Sequence, residues 1–420
     1  MGMNDTPRSE RVHIAFFGKR NVGKSSLINS LTGQDIAVVS PVKGTTTDPV
    51  YKTMELLPLG PVVFIDTAGL DDEGALGELR RKKSLEVLEK TDLAVLVFES
   101  PLDVSDFELE VVERIRERKI PIVGVVNKID ASAAEQSGIK CFEERAGIPV
   151  CPVSAVSGEG IAGLKEAIIR ALPCDENKFT ILGDLVSPGD FVVLVTPIDK
   201  AAPKGRLILP QQQAIRDLLE SDAVAVVTKE YELKETLDNL NKKPRLVITD
   251  SQVFLKVAAD TPRDIPATSF SVLMARHKGD LPELVRGAKA VETLKDGDRI
   301  LVAEACTHHQ QSDDIGRVKI PRWLRQLTGK RLRFEYATGV QFPADLRDFA
   351  LIIHCGACML NRKAMGYRIE QAVKAGVPIV NYGVIIAYMQ GILGRALSPF
   401  PSARTVWEEE LSGGELYDKM

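Results

Sequence analysis

Residues 18–25 read Gly-Lys-Arg-Asn-Val-Gly-Lys-Ser, which satisfies G-x-x-x-x-G-K-S/T. An apolar strand pattern, Val12–Phe17, precedes the run, and a helical pattern from Lys24 to Leu31 follows it. That strand–loop–helix context turns a short pattern into a phosphate cradle. Gly18 and Gly23 let the backbone curl so that successive N–H groups face phosphate oxygens, and the helix N-terminus adds positive potential. Lys24 is placed to reach the β- and γ-phosphates, Ser25 to ligate Mg²⁺, and Ser26 to continue the cradle. A chain committed to this loop is committed to βαβ units and a parallel sheet.

Three further segments occur in the order a guanine-nucleotide site requires, each after an apolar strand pattern. Asp66-Thr-Ala-Gly69 follows Val62–Ile65. Asp66 is expected to hold Mg²⁺ through its shell and the Gly69 N–H to meet the γ-phosphate. Asn127-Lys128-Ile-Asp130 follows Ile122–Val126. The Asp130 carboxylate can accept from guanine's N1–H and exocyclic amine, whereas adenine offers no matching donors. Ser154-Ala155 follows Pro149–Val153 and is expected to contact the guanine carbonyl through backbone N–H. Each short motif is weak by itself; in series with residues 18–25 they define GTP as the ligand.

This segment resembles the TrmE–Era group of translation-factor-like GTPases. Gly44-Thr-Thr-Thr-Asp48 is similar to that group's first switch, with Thr46 matching the Mg²⁺-binding threonine. Leu70 stands where Ras-like proteins carry a water-orienting glutamine, and it cannot orient water. The resemblance implies K⁺ as a charge stabiliser held by Asn21. The alternative for Asn21 is a residue that only shapes the loop.

The chain has 420 residues, enough for about three domains. Strand and helix patterns alternate throughout. A linker at 172–178 and a Pro-rich break at 260–266 divide them into a GTP-binding domain (1–173), a middle α/β domain (174–264) and a C-terminal domain (265–420) whose first apolar run is Ser269–Leu273. Each is expected to be α/β, with a mainly parallel sheet flanked by helices. The tail after Pro399 is acidic and reads as loosely packed. With 54 basic and 58 acidic residues, a net charge of -4 and 5% aromatics, no basic stripe or stacking platform points to nucleic acid. The longest apolar runs are strand-sized, far short of the roughly 20 residues of a membrane span. The polar N-terminus lacks an apolar signal core. No membrane association and a cytoplasmic location are the expectation.

Cysteine and histidine are unevenly distributed. Of five histidines, His308, His309 and His354 lie within three residues of Cys306 or Cys355. Cys306-Thr-His308 follows the strand pattern Arg299–Ala303, and His354-Cys355-Gly-Ala-Cys358 follows Phe349–Ile353. Sites of open α/β sheets form beyond the carboxyl ends of strands, so three thiols and up to two imidazoles can converge there. Soft thiolates suit Zn²⁺ or an iron–sulfur cluster. A Cys₃His zinc site would be closed and structural. A [4Fe–4S] cluster on Cys306, Cys355 and Cys358 would leave one iron for an exchangeable ligand: His308, His354, a carboxylate or water. Redox chemistry at Cys355-x-x-Cys358 is a third option. Cys141, Cys151 and Cys174 have no Cys or His nearby and read as buried structural thiols; His13, His277 and His309 read as structural or solvated.

The combination of an Era-like head, a middle α/β domain and a Cys-x-His … His-Cys-x-x-Cys pattern resembles the [FeFe]-hydrogenase maturation GTPases, the HydF family. The resemblance implies a homodimeric scaffold and carrier. It would receive a diiron precursor from two radical-SAM maturation enzymes, bind it beside the [4Fe–4S] cluster, and deliver it to apo-[FeFe]-hydrogenase. The middle domain would mediate dimerisation. The competing readings are an Era-like GTPase of RNA modification or ribosome assembly and a zinc-stabilised signalling GTPase.

Overall fold

The computed structural model describes residues 7–33, 49–69, 83–84, 86–100, 106–131, 139–140, 142–144, 147–172, 180–197, 207–305, 314–339 and 342–412. Two compact units divide at 175/176.

The first unit is built on six strands: β1 (Val12–Phe17), β2 (Val50–Leu56), β3 (Gly60–Asp66), β4 (Leu93–Glu99), β5 (Ile122–Asn127) and β6 (Val150–Pro152). Their order is β2-β3-β1-β4-β5-β6. All neighbours pair in parallel except β2, which runs antiparallel to β3 at the edge. Strand side chains alternate between the two faces. Ala15, Phe17, Val63, Ile65, Ala94 and Leu96 pack on one face with Val111, Val112 and Ile115 of helix Asp106–Glu117. Ile14, Phe16, Val62, Phe64, Val95 and Val97 pack on the other with helices Lys24–Thr32 and Ile161–Ala171. The central strands are therefore apolar on both sides, which is why the sequence shows continuous apolar runs. Strand β2 lacks such a run. Its signal is a weak alternation over Val-Tyr-Lys-Thr-Met-Glu-Leu, half-buried and exposed in turn.

The second unit holds two four-stranded parallel sheets. One comprises β7 (Phe191–Val195), β8 (Val224–Thr228), β9 (Leu246–Thr249) and β10 (Ala267–Ser269), ordered β10-β9-β7-β8. The other comprises β11 (Arg299–Glu304), β12 (Arg333–Thr338), β13 (Leu351–His354) and β14 (Ile379–Asn381), ordered β12-β11-β13-β14. A single hydrophobic core runs from Ile181 to Ala403 across both sheets.

Two expectations need correction here. The middle sheet continues past residue 264 to take in β10, so the Pro-rich break at 260–266 is a turn within it. Residues 270–273 then form the start of helix Phe270–Lys278, capped by the Ser269 hydroxyl, which accepts from the Val272 N–H at 3.2 Å. The described part of the segment after Pro399 is not loosely packed: it forms helix Pro401–Ser412, with Ala403 buried and Trp407 edge-on to Tyr388, and residues 413–420 lie outside the described residues.

Candidate nucleotide site and cysteine loop

In the first unit, β1, β3, β4 and β5 all end at the same edge of the sheet. The pairings Phe16 with Asp66 and Glu99 with Asn127 fix the level of each following loop. Gly18 (φ +153°) and Gly23 (φ +92°) both adopt backbone conformations that glycine favours. A side chain on Gly18 would collide with the Val97 carbonyl, and one on Gly23 with the Asn127 amide. Asn21, at φ +63° and exposed, also sits in the left-handed region, which asparagine tolerates.

Lys24 is buried, and its ammonium donates to the carbonyls of Gly18 (2.9 Å) and Lys19 (2.8 Å), holding the cation against the loop. The Ser25 hydroxyl donates to Asp66 Oδ2, so the two groups expected at Mg²⁺ meet directly. Burial pushes the Asp66 carboxyl above its ordinary range, opposed by the Ser25 hydrogen bond and by Lys24 and Lys52. A bound cation would reverse that balance, because a metal favours the ionised carboxylate. Thr67 is anchored by donating to the Phe16 carbonyl at 2.6 Å, and Gly69 approaches so closely that a Cβ would stand 3.0 Å from Arg20. Thr46 and Leu70 lie outside the described residues, as do Ser40–Asp48 generally.

Asn127 joins the base loop to the phosphate loop. Its side-chain amide donates to the Val22 carbonyl at 2.9 Å, and its Oδ1 accepts from the Ala155 N–H at 3.0 Å. Lys128 donates to Glu99 at 2.8 Å, and Asp130 is exposed beyond it. Buried Ser154 braces the turn by accepting from the Ser157 N–H at 3.1 Å. The described members of the expected nucleotide set thus lie on the loops, strand ends and first helical turn at one sheet edge.

In the second unit, Cys355 follows β13, and Cys358 lies in the next turn, which the Leu360 N–H closes by donating to the Ala357 carbonyl at 3.0 Å. Cys355 N–H donates to the Ala303 carbonyl of β11 (2.9 Å), and the Ala305 N–H donates to Cys355 Sγ at 3.1 Å. Burial pushes the Cys355 thiol up, opposed by the amides of Ala305 and Ala357. Cys306, His308 and His309 lie outside the described residues, and so do Cys141 and Cys174. Among the described residues no group of three or more metal-binding side chains assembles. The described donors still fit a thiolate-held group: two thiols three positions apart after β13, an amide aimed at the Cys355 sulfur, and the third cysteine one residue past Ala305 in the sequence.

His354 is fully buried and engaged at both nitrogens. Arg368 Nη1, always a donor, donates to Nε2 at 2.9 Å, so Nδ1–H donates to the Cys355 carbonyl at 2.8 Å. Burial, then Arg368, lowers its pKa to about 4, which keeps the ring neutral. A ring so held offers no lone pair, so its place among the expected exchangeable ligands does not fit this geometry. The sequence reading missed Arg368 and Lys278, both buried against this loop. Nothing in their local patterns distinguishes them from surface cations of amphipathic helices. Cys151 is half-buried, with its thiol raised by burial, and His13 is buried on β1.

The fold and the first site define a P-loop GTPase joined to two further parallel α/β sheets. Comparison with known families extends this. Residues 13–128 match a family described as 50S ribosome-binding GTPase, residues 181–279 the hydrogen maturase F dimerization domain, and residues 282–399 the hydrogen maturase F tetramerization domain. The chain belongs to the HydF-type hydrogenase maturation GTPases. The Era and MnmE relatives match the GTPase part of the chain. The tRNA modification GTPase MnmE of Nitrosomonas europaea is 35% identical over 162 residues, 38% of this chain and 35% of that protein. GTPase Era of Halothermothrix orenii is 32% identical over 163 residues, 38% of this chain and 55% of that protein. The chain thus spans about a third to a half of these relatives. Among solved structures, the G domain of the T. maritima FeoB iron transporter is similar at 27% identity, covering 38% of this chain and 98% of that one, with a TM-score of 0.31. No helix among the described residues is long and apolar enough to cross a membrane.

Proposed function

We propose that this chain hydrolyses GTP and serves as scaffold and carrier in [FeFe]-hydrogenase maturation. In this reading Cys306, Cys355 and Cys358 hold a [4Fe–4S] cluster, and a diiron precursor from the two radical-SAM maturation enzymes is received beside it and passed to apo-hydrogenase. The observation that supports it is the 3.1 Å contact between the Ala305 N–H and Cys355 Sγ, because Ala305 is the residue before Cys306 in the sequence. Three thiolates suit an iron–sulfur centre, which would supply an open iron for the cargo. With His354 committed to Arg368 and Cys355, the exchangeable position falls to His308, a carboxylate or solvent.

In the GTP-binding domain (1–173), Lys24, Gly18, Gly23 and Ser26 would cradle the phosphates. Ser25, Thr46 and Asp66 would hold Mg²⁺, which supplies charge neutralisation, and Gly69 would face the γ-phosphate. Asn127, Lys128, Asp130, Ser154 and Ala155 would enclose the base. Exposed Asn21 is offered to K⁺; hydrolysis faster in K⁺ than in Na⁺, with the difference lost in Asn21→Ala, tests that role. The middle domain, extended to about Lys278, would mediate dimerisation, and the remainder would bind the cluster.

The decisive experiment is anaerobic iron and sulfide quantitation with EPR on wild type and the Cys306→Ser, Cys355→Ser, Cys358→Ser triple variant. The wild type is expected to carry iron and sulfide, and the variant little of either while keeping GTPase activity. Full iron loading of the variant would refute the assignment. Zinc without sulfide in the wild type would favour an Era-like GTPase with a structural zinc site.

A further inference from the structure

Helix Phe270–Lys278 starts at the end of the middle sheet and finishes inside the cysteine loop. Its N-cap, Ser269, is the last residue of β10. Phe270, Val272, Leu273, Met274 and Ala275 are buried, so most of its circumference is core. Its last residue, Lys278, is 3% exposed. The Lys278 ammonium donates to the carbonyls of Leu360 (3.0 Å) and Ala357 (3.2 Å), with that of Cys358 at 3.5 Å. All three belong to the turn that carries Cys358, and in it Ala357 has a left-handed φ of +53°.

A buried ammonium is costly unless its hydrogens are taken up. It has three to give, and here three carbonyls of one short turn face it. These three carbonyls offset the cost of burying the charge while the turn keeps its present form. Were the turn to open, the ammonium would lose several acceptors together. A fixed positive charge on one side of a thiolate-held anionic group also favours its more reduced form, since surrounding charge tunes such centres.

We propose that Lys278 is a positioning residue for the cysteine loop: it holds the Cys355–Cys358 turn in its ligating form and places a fixed positive charge beside it. The second part rests on the cluster reading above. Through this side chain a helix rooted in the middle sheet grips the turn, so a displacement of that helix is transmitted to Cys358.

The test uses the full chain as wild type, Lys278→Met and Lys278→Arg. Amide hydrogen exchange on the apoprotein reads the turn alone. Exchange over residues 356–360 should quicken at least tenfold in Lys278→Met, with β13 unchanged. After anaerobic reconstitution with iron and sulfide, Lys278→Met should hold less than half the wild-type iron, and its EPR-monitored midpoint potential should be more negative. Lys278→Arg keeps the charge and should restore the potential; a potential as negative as that of Lys278→Met would overturn the charge role. Wild-type exchange, iron content and potential in Lys278→Met would overturn the whole proposal. A wild type that takes up no iron or sulfide would refute the cluster reading, and the exchange measurement would still decide whether Lys278 holds the turn.

Discussion

Asn127 and Val22 are joined by a buried hydrogen bond of 2.9 Å that ties the loop expected to read the base to the loop expected to hold the phosphates. The same side chain accepts from Ala155 at 3.0 Å, so one residue sets the spacing of three loops. Replacing it leaves the Val22 carbonyl and the Ala155 N–H without their partner, at about 1–3 kcal/mol. Asn127→Ala should therefore weaken GDP and GTP binding roughly 10- to 100-fold, as read by titration with a fluorescent nucleotide. An unchanged affinity would mean that the loops hold their spacing without it.

Asp130 is exposed, so its replacement should leave the fold intact and report only on the base. In Asp130→Asn the paired acceptors become one acceptor and one donor. GTP turnover should fall at least about tenfold while xanthosine triphosphate is gained as a substrate, in line with the cost of an unpaired polar contact. Competition between the two nucleotides in steady-state hydrolysis checks this. A variant that still prefers GTP would remove Asp130 from base recognition.

His13 links the stability of the GTPase unit to pH. Burial, with Lys90 and Arg8 adding to it, lowers its pKa to about 4. Asp92 Oδ2 lies 4.0 Å from the ring and accepts the His13 backbone N–H at 2.9 Å. The folded ring binds a proton only below about 4, whereas the unfolded ring binds one below about 6.5. Between those values the unfolded state takes up more protons, so stability falls as pH falls through this window, by at most about 3 kcal/mol. Thermal midpoints from pH 7 to 4 should drop less steeply in His13→Gln than in wild type. Parallel curves would exclude His13 as a source of the acid sensitivity.

Strand β8 is an edge of the middle sheet. It exposes Val224 (40%) and Val227 (47%) and is followed by exposed Tyr231 (81%). An uncovered apolar edge invites strand pairing, and lysine there blocks it. If the part of the chain matching a dimerization domain associates through this edge, Val227→Lys should raise the dimer dissociation constant at least tenfold in sedimentation velocity, with unchanged GTP binding. A dimer of wild-type strength would place the interface elsewhere.

The nucleotide loops were legible in the sequence because each is a short contiguous motif following a strand that is buried on both faces and therefore continuously apolar. The same logic located β7, β9, β11 and β13. It failed at β2, an edge strand whose half-buried face leaves only a weak alternation, and at the Pro-rich break, where β10 has three residues and no apolar run. The tail was misjudged because its acidic composition hides the few residues, Ala403 and Trp407 among them, that anchor it.

The sequence by itself determined the phosphate loop, the guanine motifs and the pairing of cysteines with strand ends, since these depend on residue type and on spacing along the chain. Only the tertiary structure decided what stands behind the motifs. It spent both nitrogens of His354 on Arg368 and Cys355, placed Ala305 against the Cys355 sulfur, and aimed the Lys278 ammonium at the turn from 79 to 82 residues away in sequence. Such contacts leave no local periodicity, because a buried cation finds its acceptors through the packing of distant elements.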